Sequence, residues 1–333
     1  MARSLFRYHA TLGHQFIPGI RARVLHEGGG YLLRTNAAGF RCGHEFRPER
    51  RADTFRILLF GDSYTAGDGV SDGQRYGDVL ETLLPGVEVF NFGLSGTGTD
   101  QQYLAWREYG AAIEHDLVVI GVLVENIRRV VSHYRPFRTH EGDDVALAKP
   151  YFSLEPGGAL SLHHVPVPRE PRDEGDLASN EAFDRGGRLP ALRIALNRLG
   201  PGVKDALQRL TRYQPLPEYD RADGAEWGLL EAILRRWLSE LQAPAIVCPI
   251  PLYQYVEETA SPAGYLARFR SLHAPPSVVV HDPLPAFHAH RRAERRRFRF
   301  EHDCHLTPAG HRVLAESLAT AIGPLVARGG EPA

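Results

Sequence analysis

Cysteine is scarce in this chain of 333 residues, with Cys42, Cys248 and Cys304 the only three. An odd, sparse set cannot frame a disulfide-stapled fold and fits a reducing compartment. Long apolar runs are missing too. The longest, 117–124, has the length of a buried strand and falls far short of the roughly 18 to 20 residues that a membrane-crossing helix needs. The amino terminus, MARSLFRYHATLGHQF, has no apolar segment ahead of a small-residue cleavage site. No secretory signal is read there, and a cytoplasmic location is expected. Neither charge is in excess: 39 Lys and Arg stand against 40 Asp and Glu, a formal net charge of -1. That balance gives no general pull toward nucleic acid or an anionic membrane. Lysine is nearly absent, represented by Lys149 and Lys204, and the arginine bias reads as genomic composition because no fold demands it. Repeats, heptads and low-complexity tracts are also lacking. The length, with 43% hydrophobic residues, suffices for one large core or two smaller ones without staples.

Five short apolar runs are present, at 56–60 (RILLF), 87–92 (VEVFNF), 117–123 (LVVIGVL), 245–250 (AIVCPI) and 277–281 (SVVVH). Each has strand length without strict alternation, as expected for strands covered on both faces. Helices are expected at 76–84, 100–113, 224–242 and 307–327. In the third of these, Trp227, Leu230, Ile233, Leu234, Trp237, Leu238 and Leu241 recur with the spacing of a face packed on a sheet. The alternation predicts a three-layer α/β domain with a parallel sheet and right-handed crossovers. Reactive groups in such sheets gather beyond the carboxyl ends of the strands.

Two regions break the alternation. Residues 1–50 read as an amino-terminal extension packed on the core, with Gly28-Gly29-Gly30 turning a hairpin. The main domain is expected over 51–330, interrupted at about 135–223 by a Pro- and Gly-rich insertion that includes Pro166, Pro168 and Pro171. An insertion of this length in a compact domain is a lid, a subdomain or a disordered arm, and the lid is preferred.

The first strand runs into Gly61-Asp62-Ser63-Tyr64-Thr65-Ala66-Gly67-Asp68-Gly69. A serine just past a buried strand, with glycines on both sides, can expose its hydroxyl and backbone N–H at the open end of the sheet, as a nucleophile must. The same loop taken alone could cradle a phosphate or be only a tight turn. Other blocks narrow this. Asn91-Phe92-Gly93-Leu94-Ser95-Gly96 follows the second strand, Val124-Glu125-Asn126 ends the third, and Asp303-Cys304-His305-Leu306-Thr307-Pro308-Ala309-Gly310-His311 precedes the last helix.

With these blocks the chain resembles the SGNH (GDSL-type) hydrolase superfamily over roughly 56–130 and 243–325. Upstream, Thr35-Asn36-Ala37-Ala38-Gly39-Phe40-Arg41 is similar to the Asn-x-x-Gly-Phe-Arg segment that often precedes the serine block in bacterial members. The resemblance implies a three-layer α/β/α, flavodoxin-like SGNH hydrolase fold with a five-stranded parallel sheet. It implies Ser63 as nucleophile, His305 and Asp303 as its partners, and an oxyanion hole from Ser63, Gly96 and Asn126. The third block departs from the usual Gly-x-Asn-Asp, so Asn126 is placed by its strand-end position. The last block reads Asp-x-His instead of Asp-x-x-His, a spacing that resembles the branch associated with acetyl groups on bacterial polysaccharides. The activity implied is a serine esterase acting on small acyl groups of a carbohydrate or other small-molecule ester. An O-acyltransferase with the same triad and a non-catalytic carbohydrate-binding relative are the alternatives.

The chemistry explains the separated blocks. Imidazole titrates near neutrality and can take the hydroxyl proton, while Asp303 holds the productive tautomer. Two residues apart, the pair meets only on an irregular loop. Other side chains read more plainly. Asp62 is expected as a buried carboxylate bonding loop N–H groups, Asp68 as a solvated or turn-forming residue, and His311 as a cap or packing residue. Glu125 either orients substrate or pairs with Arg128 or Arg129. Cys304 is expected as a small buried packing residue and Cys248 as core. The run 291–297 (RRAERRR), which could meet a phosphate, an acidic sugar or an anionic lipid head, reads as a solvated helix face. The cluster His302, Cys304, His305 and His311 offers zinc-ligand types in no common zinc spacing. No metal, cofactor or nucleic-acid partner is expected.

Overall fold

The computed structural model describes residues 5–138, 144–171 and 213–329. Two hairpins open the chain, pairing β1 (Phe6–His9) with β2 (Gly13–Phe16) and β3 (Arg21–Val24) with β4 (Tyr31–Arg34). The second turns through the glycine triplet, where Gly29 and Gly30 take φ of +89° and +87°. The central strands follow: β5 (Phe55–Gly61), β6 (Val87–Asn91) and β7 (Leu117–Leu123). Two more hairpins, β8 (Tyr134–Arg138) with β9 (Asp144–Ala148) and β10 (Tyr151–Leu154) with β11 (Leu160–His163), precede β12 (Ala245–Ile250) and β13 (Val278–Val280).

The central sheet is parallel, in the order β13-β12-β7-β5-β6. Chain order therefore reverses beside β5, and the crevice between the ends of β5 and β7 is where such sheets place their sites. Strands β6, β7 and β12 are buried along their whole length, which is why these runs lack alternation. Helix Pro308–Gly329 packs on Tyr76–Leu83, and helix Ala225–Glu240 packs on Thr99–Ala105. Together these helices flank the sheet. Trp227, Leu230, Ile233, Leu234 and Trp237 are buried as the spacing predicted. Trp237 meets Phe60 edge-on, with ring centroids 5.3 Å apart, and Phe60 stacks on Phe92 at 4.6 Å.

Two expectations change, and a third holds with one exception. The helix expected to run unbroken over 100–113 is α-helical only over Thr99–Ala105 and then widens into a π-turn, Trp106–Gly110. The extra residue lets Trp106 bury itself while Gly110 lies against the Phe60 ring, where a Cβ would come within 2.8 Å. The described start of the insertion is built of hairpins rather than loop, because Phe152 finds a buried place beside Tyr103 at 5.8 Å. Residues 139–143 and 172–212 of the insertion lie outside the described residues. The run 291–297 is a solvated face as expected, with six of its seven residues exposed, except at Arg295. Arg295 is buried, reaches the carbonyls of His288 and His290, and pairs with Glu258 at 2.7 Å, while Arg292 donates to the carbonyls of Glu257 and Glu258.

The amino-terminal segment packs on this core through Phe40, whose ring lies 5.3 Å from Phe92 and 5.1 Å from Tyr109. No helix among the described residues is long and apolar enough to cross a membrane.

Candidate active site

Ser63 begins a single helical turn, Ser63–Ala66, directly after β5. Asp62 caps it, accepting the Tyr64 N–H on Oδ1 at 3.0 Å, and Gly67 closes it at φ +79° with its N–H on the Ser63 carbonyl. Asp62 is fully buried, and its Oδ2 takes the Arg129 Nη1 at 2.9 Å. Arg129 also holds Glu125 at 3.0 Å, so Glu125 is spent as an ion-pair partner. The turn thus sits on a closed polar network, and Ser63 itself is only 5% exposed.

His305 reaches this turn from an irregular loop. Arg299 bridges Leu306, and the Phe300 N–H donates to the His305 carbonyl at 3.1 Å, leaving the residues between to arch. Within the arch Asp303 Oδ1 accepts two donors of the same residue, the backbone N–H of His305 at 3.0 Å and its Nδ1–H at 2.5 Å. That fold of the chain solves the two-residue spacing. His305 Nε2 then lies 2.8 Å from Ser63 Oγ. Tyr64 ties the loop to the serine turn by donating its hydroxyl to the Cys304 carbonyl at 2.7 Å. A hydroxyl, an imidazole and a carboxylate bonded in series allow the imidazole to take the hydroxyl proton.

The charges fit that use. Burial works against a charged His305, but the Asp303 hydrogen bond and the charges of Asp68, Asp303 and Asp62 outweigh it and set its pKa above the ordinary imidazole value. Burial would likewise raise Asp303. The two bonds and charge of His305, with His26, prevail and hold its carboxyl well below the usual carboxylate range.

His26 is the residue that the sequence did not announce. Its Nδ1 faces the Gly28 N–H, leaving Nε2 to donate to Asp303 Oδ2 at 3.0 Å. Beside it Glu27 accepts the backbone N–H groups of His302 and Asp303, at 3.0 and 2.8 Å. Both stand at the turn of the β3–β4 hairpin, 277 residues from their partner in the case of His26 and Asp303. A polar pair ahead of the glycine triplet was the only available signal, and no spacing links it to the loop. The Asn36–Arg41 segment also bears on the site. Asn36 Oδ1 accepts the Phe40 N–H, Gly39 turns at φ +79°, and Arg41, fully buried, donates to the carbonyls of Gly67 at 2.6 Å and Val70 at 2.9 Å. It clamps the chain just past the serine turn.

The second block approaches from β6. Asn91 Nδ2 donates to the Thr65 carbonyl at 2.9 Å and its Oδ1 accepts the Gly93 N–H at 2.8 Å. Gly93 lies so close to the serine turn that a Cβ would stand 2.5 Å from the Thr65 carbonyl carbon. Gly96 follows in the left-handed region at φ +73°, its open side covered by the Arg135 guanidinium. Asp68 is turn-forming, as one of its two expected readings has it, with its N–H on the Ser63 carbonyl at 3.0 Å, but it is half-buried rather than solvated and accepts the Ser95 hydroxyl at 2.7 Å. Asn126 is fully buried at the end of β7. Its Nδ2 faces Thr99 Oγ1 at 3.4 Å, and its Oδ1 has no partner among the described residues. Gly96 and Asn126 thus lie beyond the ends of β6 and β7, the strands flanking β5, and no hydrogen bond joins either to Ser63 in this arrangement.

His311 is buried as a packing residue, its Nδ1 receiving the Tyr76 N–H at 3.3 Å. Cys248 is core, whereas Cys304 is exposed, contrary to expectation, with its carbonyl taking the Tyr64 hydroxyl and its Sγ within 4.8 Å of the Asp303 carboxylate and the His305 ring.

No family model and no curated protein matches the chain. Similar solved structures include a member of the lipolytic protein G-D-S-L family from Veillonella parvula, at 13% identity over 81% of this chain and 98% of that one, with a TM-score of 0.39. An acetyl xylan esterase is similar at 13% identity over 80% and 100%, TM-score 0.42. So is the lipase/acylhydrolase from Enterococcus faecalis, at 14% identity over 81% and 96%, TM-score 0.40. Likeness of this degree carries nothing about chemistry, which rests on the side chains of this chain.

Proposed function

We propose that this protein is a serine-dependent carboxylic ester hydrolase that removes small acyl groups, acetyl foremost, from a carbohydrate or glycoconjugate. The observation that carries the reaction class is the unbroken series from Ser63 Oγ through His305, 2.8 Å away, to Asp303, 2.5 Å further on. Ser63 attacks the acyl carbon as His305 Nε2 takes its proton. The same imidazole returns the proton to the leaving alkoxide, and then activates the water that frees the acid. Charge on the former carbonyl oxygen is received by the backbone N–H of Ser63, that of Gly96 and the Asn126 amide. The Asn126 oxygen without a partner supports that role, since exchanging the two ends of the amide would let Thr99 donate and turn an NH2 donor to the free side. The acetyl preference rests on the Asp-x-His spacing, and the insertion at 135–223 is assigned the part of a lid.

Turnover of p-nitrophenyl acetate, with and without carbohydrate acceptors, tests this together with fluorophosphonate labelling. Release of acetate and an adduct on Ser63 are expected. Transfer exceeding hydrolysis would make the protein an O-acyltransferase, and folded protein that takes no label would leave a carbohydrate-binding module.

A further inference from the structure

Behind the Ser95-Gly96 loop lies a cavity of about 350 Å³, lined by Phe6, Tyr8, His14, Leu147 and Pro168 together with three arginines, Arg7, Arg135 and Arg169. Cations in a folded chain ordinarily face carboxylates. Among the described residues none of the three forms an ion pair with a carboxylate, although the charge of Asp68, which accepts the Ser95 hydroxyl, acts on Arg135 from beyond bonding distance. Arg7 donates to the Gln15 amide at 3.0 Å, Arg169 stacks over the Tyr8 ring at 4.1 Å, and Arg135 lies 5.8 Å from the Phe6 centroid. Lys149, which also borders the cavity, is taken up by the buried Asp100.

Arg135 is the inner member. Its guanidinium lies against Gly96, where a Cβ would meet Nη2 at 2.5 Å, and its Nη1 is 2.7 Å from His14 Nε2. That same nitrogen is 2.8 Å from the Ser95 carbonyl. Burial and the Arg135 charge keep His14 neutral, with its pKa well below the ordinary value. A neutral Nε2 can donate to the carbonyl or accept from the arginine, not both, so this corner is one partner short. Burial and Arg129 outweigh the opposing charge of Asp68 and lower the pKa of Arg135 to about 10, leaving it charged at neutral pH.

We propose that this cavity is an anion-binding subsite, and that the ester reaching Ser63 carries a carboxylate or phosphate group held by Arg135, with Arg7 and Arg169 at the exposed rim. Planar guanidinium groups bind both anions through paired N–H donors. The apolar and aromatic walls suit the ring or chain that bears the anion. This deepens the esterase reading and rests on it for the word substrate, whereas anion binding stands on the cavity alone.

The test compares phenyl acetate, 4-acetoxybenzoate and 4-acetoxyphenyl phosphate, which share the acetyl group and differ in the anion. Calorimetry adds glucuronate, glucose 6-phosphate and neutral glucose titrated into the Ser63→Ala protein. Wild type is expected to favour at least one anionic ester over the neutral one in kcat/KM. Arg135→Gln should reduce that ratio by about 10- to 100-fold, and Arg135→Lys should keep part of it. Which arm responds separates carboxylate from phosphate. If Arg135→Gln does not fold, the double variant Arg7→Gln, Arg169→Gln reads the same ratio from the rim. Brisk hydrolysis of phenyl acetate with a ratio near one and no anion binding would overturn the subsite while leaving the esterase. Anion binding that Arg135→Gln abolishes, with none of the three esters turned over, would support the subsite and sink the esterase.

Discussion

His26 Nε2 donates to Asp303 Oδ2 across 3.0 Å, while Oδ1 of the same carboxylate serves His305. The two oxygens are thereby assigned different tasks. One faces the imidazole that meets Ser63, and the other is tied to a hairpin from the start of the chain. A carboxylate held at both ends cannot rotate away from its histidine.

His26→Ala is therefore expected to lower kcat by roughly 10-fold, the worth of one hydrogen bond to a charged group, with KM little changed. His26→Gln, which can still present an N–H, should recover part of the loss. Steady-state kinetics on p-nitrophenyl acetate checks this. A kcat equal to wild type would remove His26 from the positioning of the triad.

The pH profile has a definite sign. His305 must be neutral to take the proton, so kcat/KM rises with pH as it deprotonates. Because its pKa is raised, the acid limb should lie above about 6.5, the ordinary imidazole value. Asp303→Asn removes the negative charge that favours imidazolium, so the limb should move to lower pH while turnover falls by about 10⁴-fold. A limb that stayed in place in this variant would separate Asp303 from the titration.

Asn126→Ala should cost about 100- to 1000-fold in kcat, the usual loss for one oxyanion donor. Fluorophosphonate labelling and a thermal melt distinguish chemistry from packing. A variant that loses stability but turns over like wild type would place Asn126 in the core instead of the oxyanion hole.

Gly93→Ala puts a methyl group onto the backbone of Thr65 and Ala66, neither of which can swing aside as a side chain would. The second block must then lift from the serine turn. A loss of about 3 kcal/mol in urea denaturation is expected, with activity falling alongside. Stability within error of wild type would mean that the loop has another low-energy path.

Much of the architecture could be read from local pattern. The runs at 117–123 and 245–250 are strands with those same bounds, because burial on both faces leaves a continuous apolar signature. The helix over 100–113 could not be read to its end, since the π-turn answers to Phe60, far away in sequence. The polar site divides in the same way. Ser63 carries flanking glycines, and Asp303 and His305 lie in a block resembling a known one, so these three could be picked out as a candidate acyl-transfer centre. Asp68, His26 and Arg135 could not be picked out in this way, because a carboxylate, an imidazole or a guanidinium has meaning only through what it faces.

By itself the sequence determined the covalent and local terms: which runs could be buried, where glycine would permit a sharp turn, and which side chains had nucleophile and base chemistry. Only tertiary structure decided that a hairpin 277 residues away fastens the Asp303 carboxylate, and that three arginines share one cavity without an ion-pair partner among the described residues. The physical reason is distance dependence. Propensity and alternation act over a few residues along the chain, whereas hydrogen bonds and ion pairs act over about 3 Å in space, and folding alone sets that spacing.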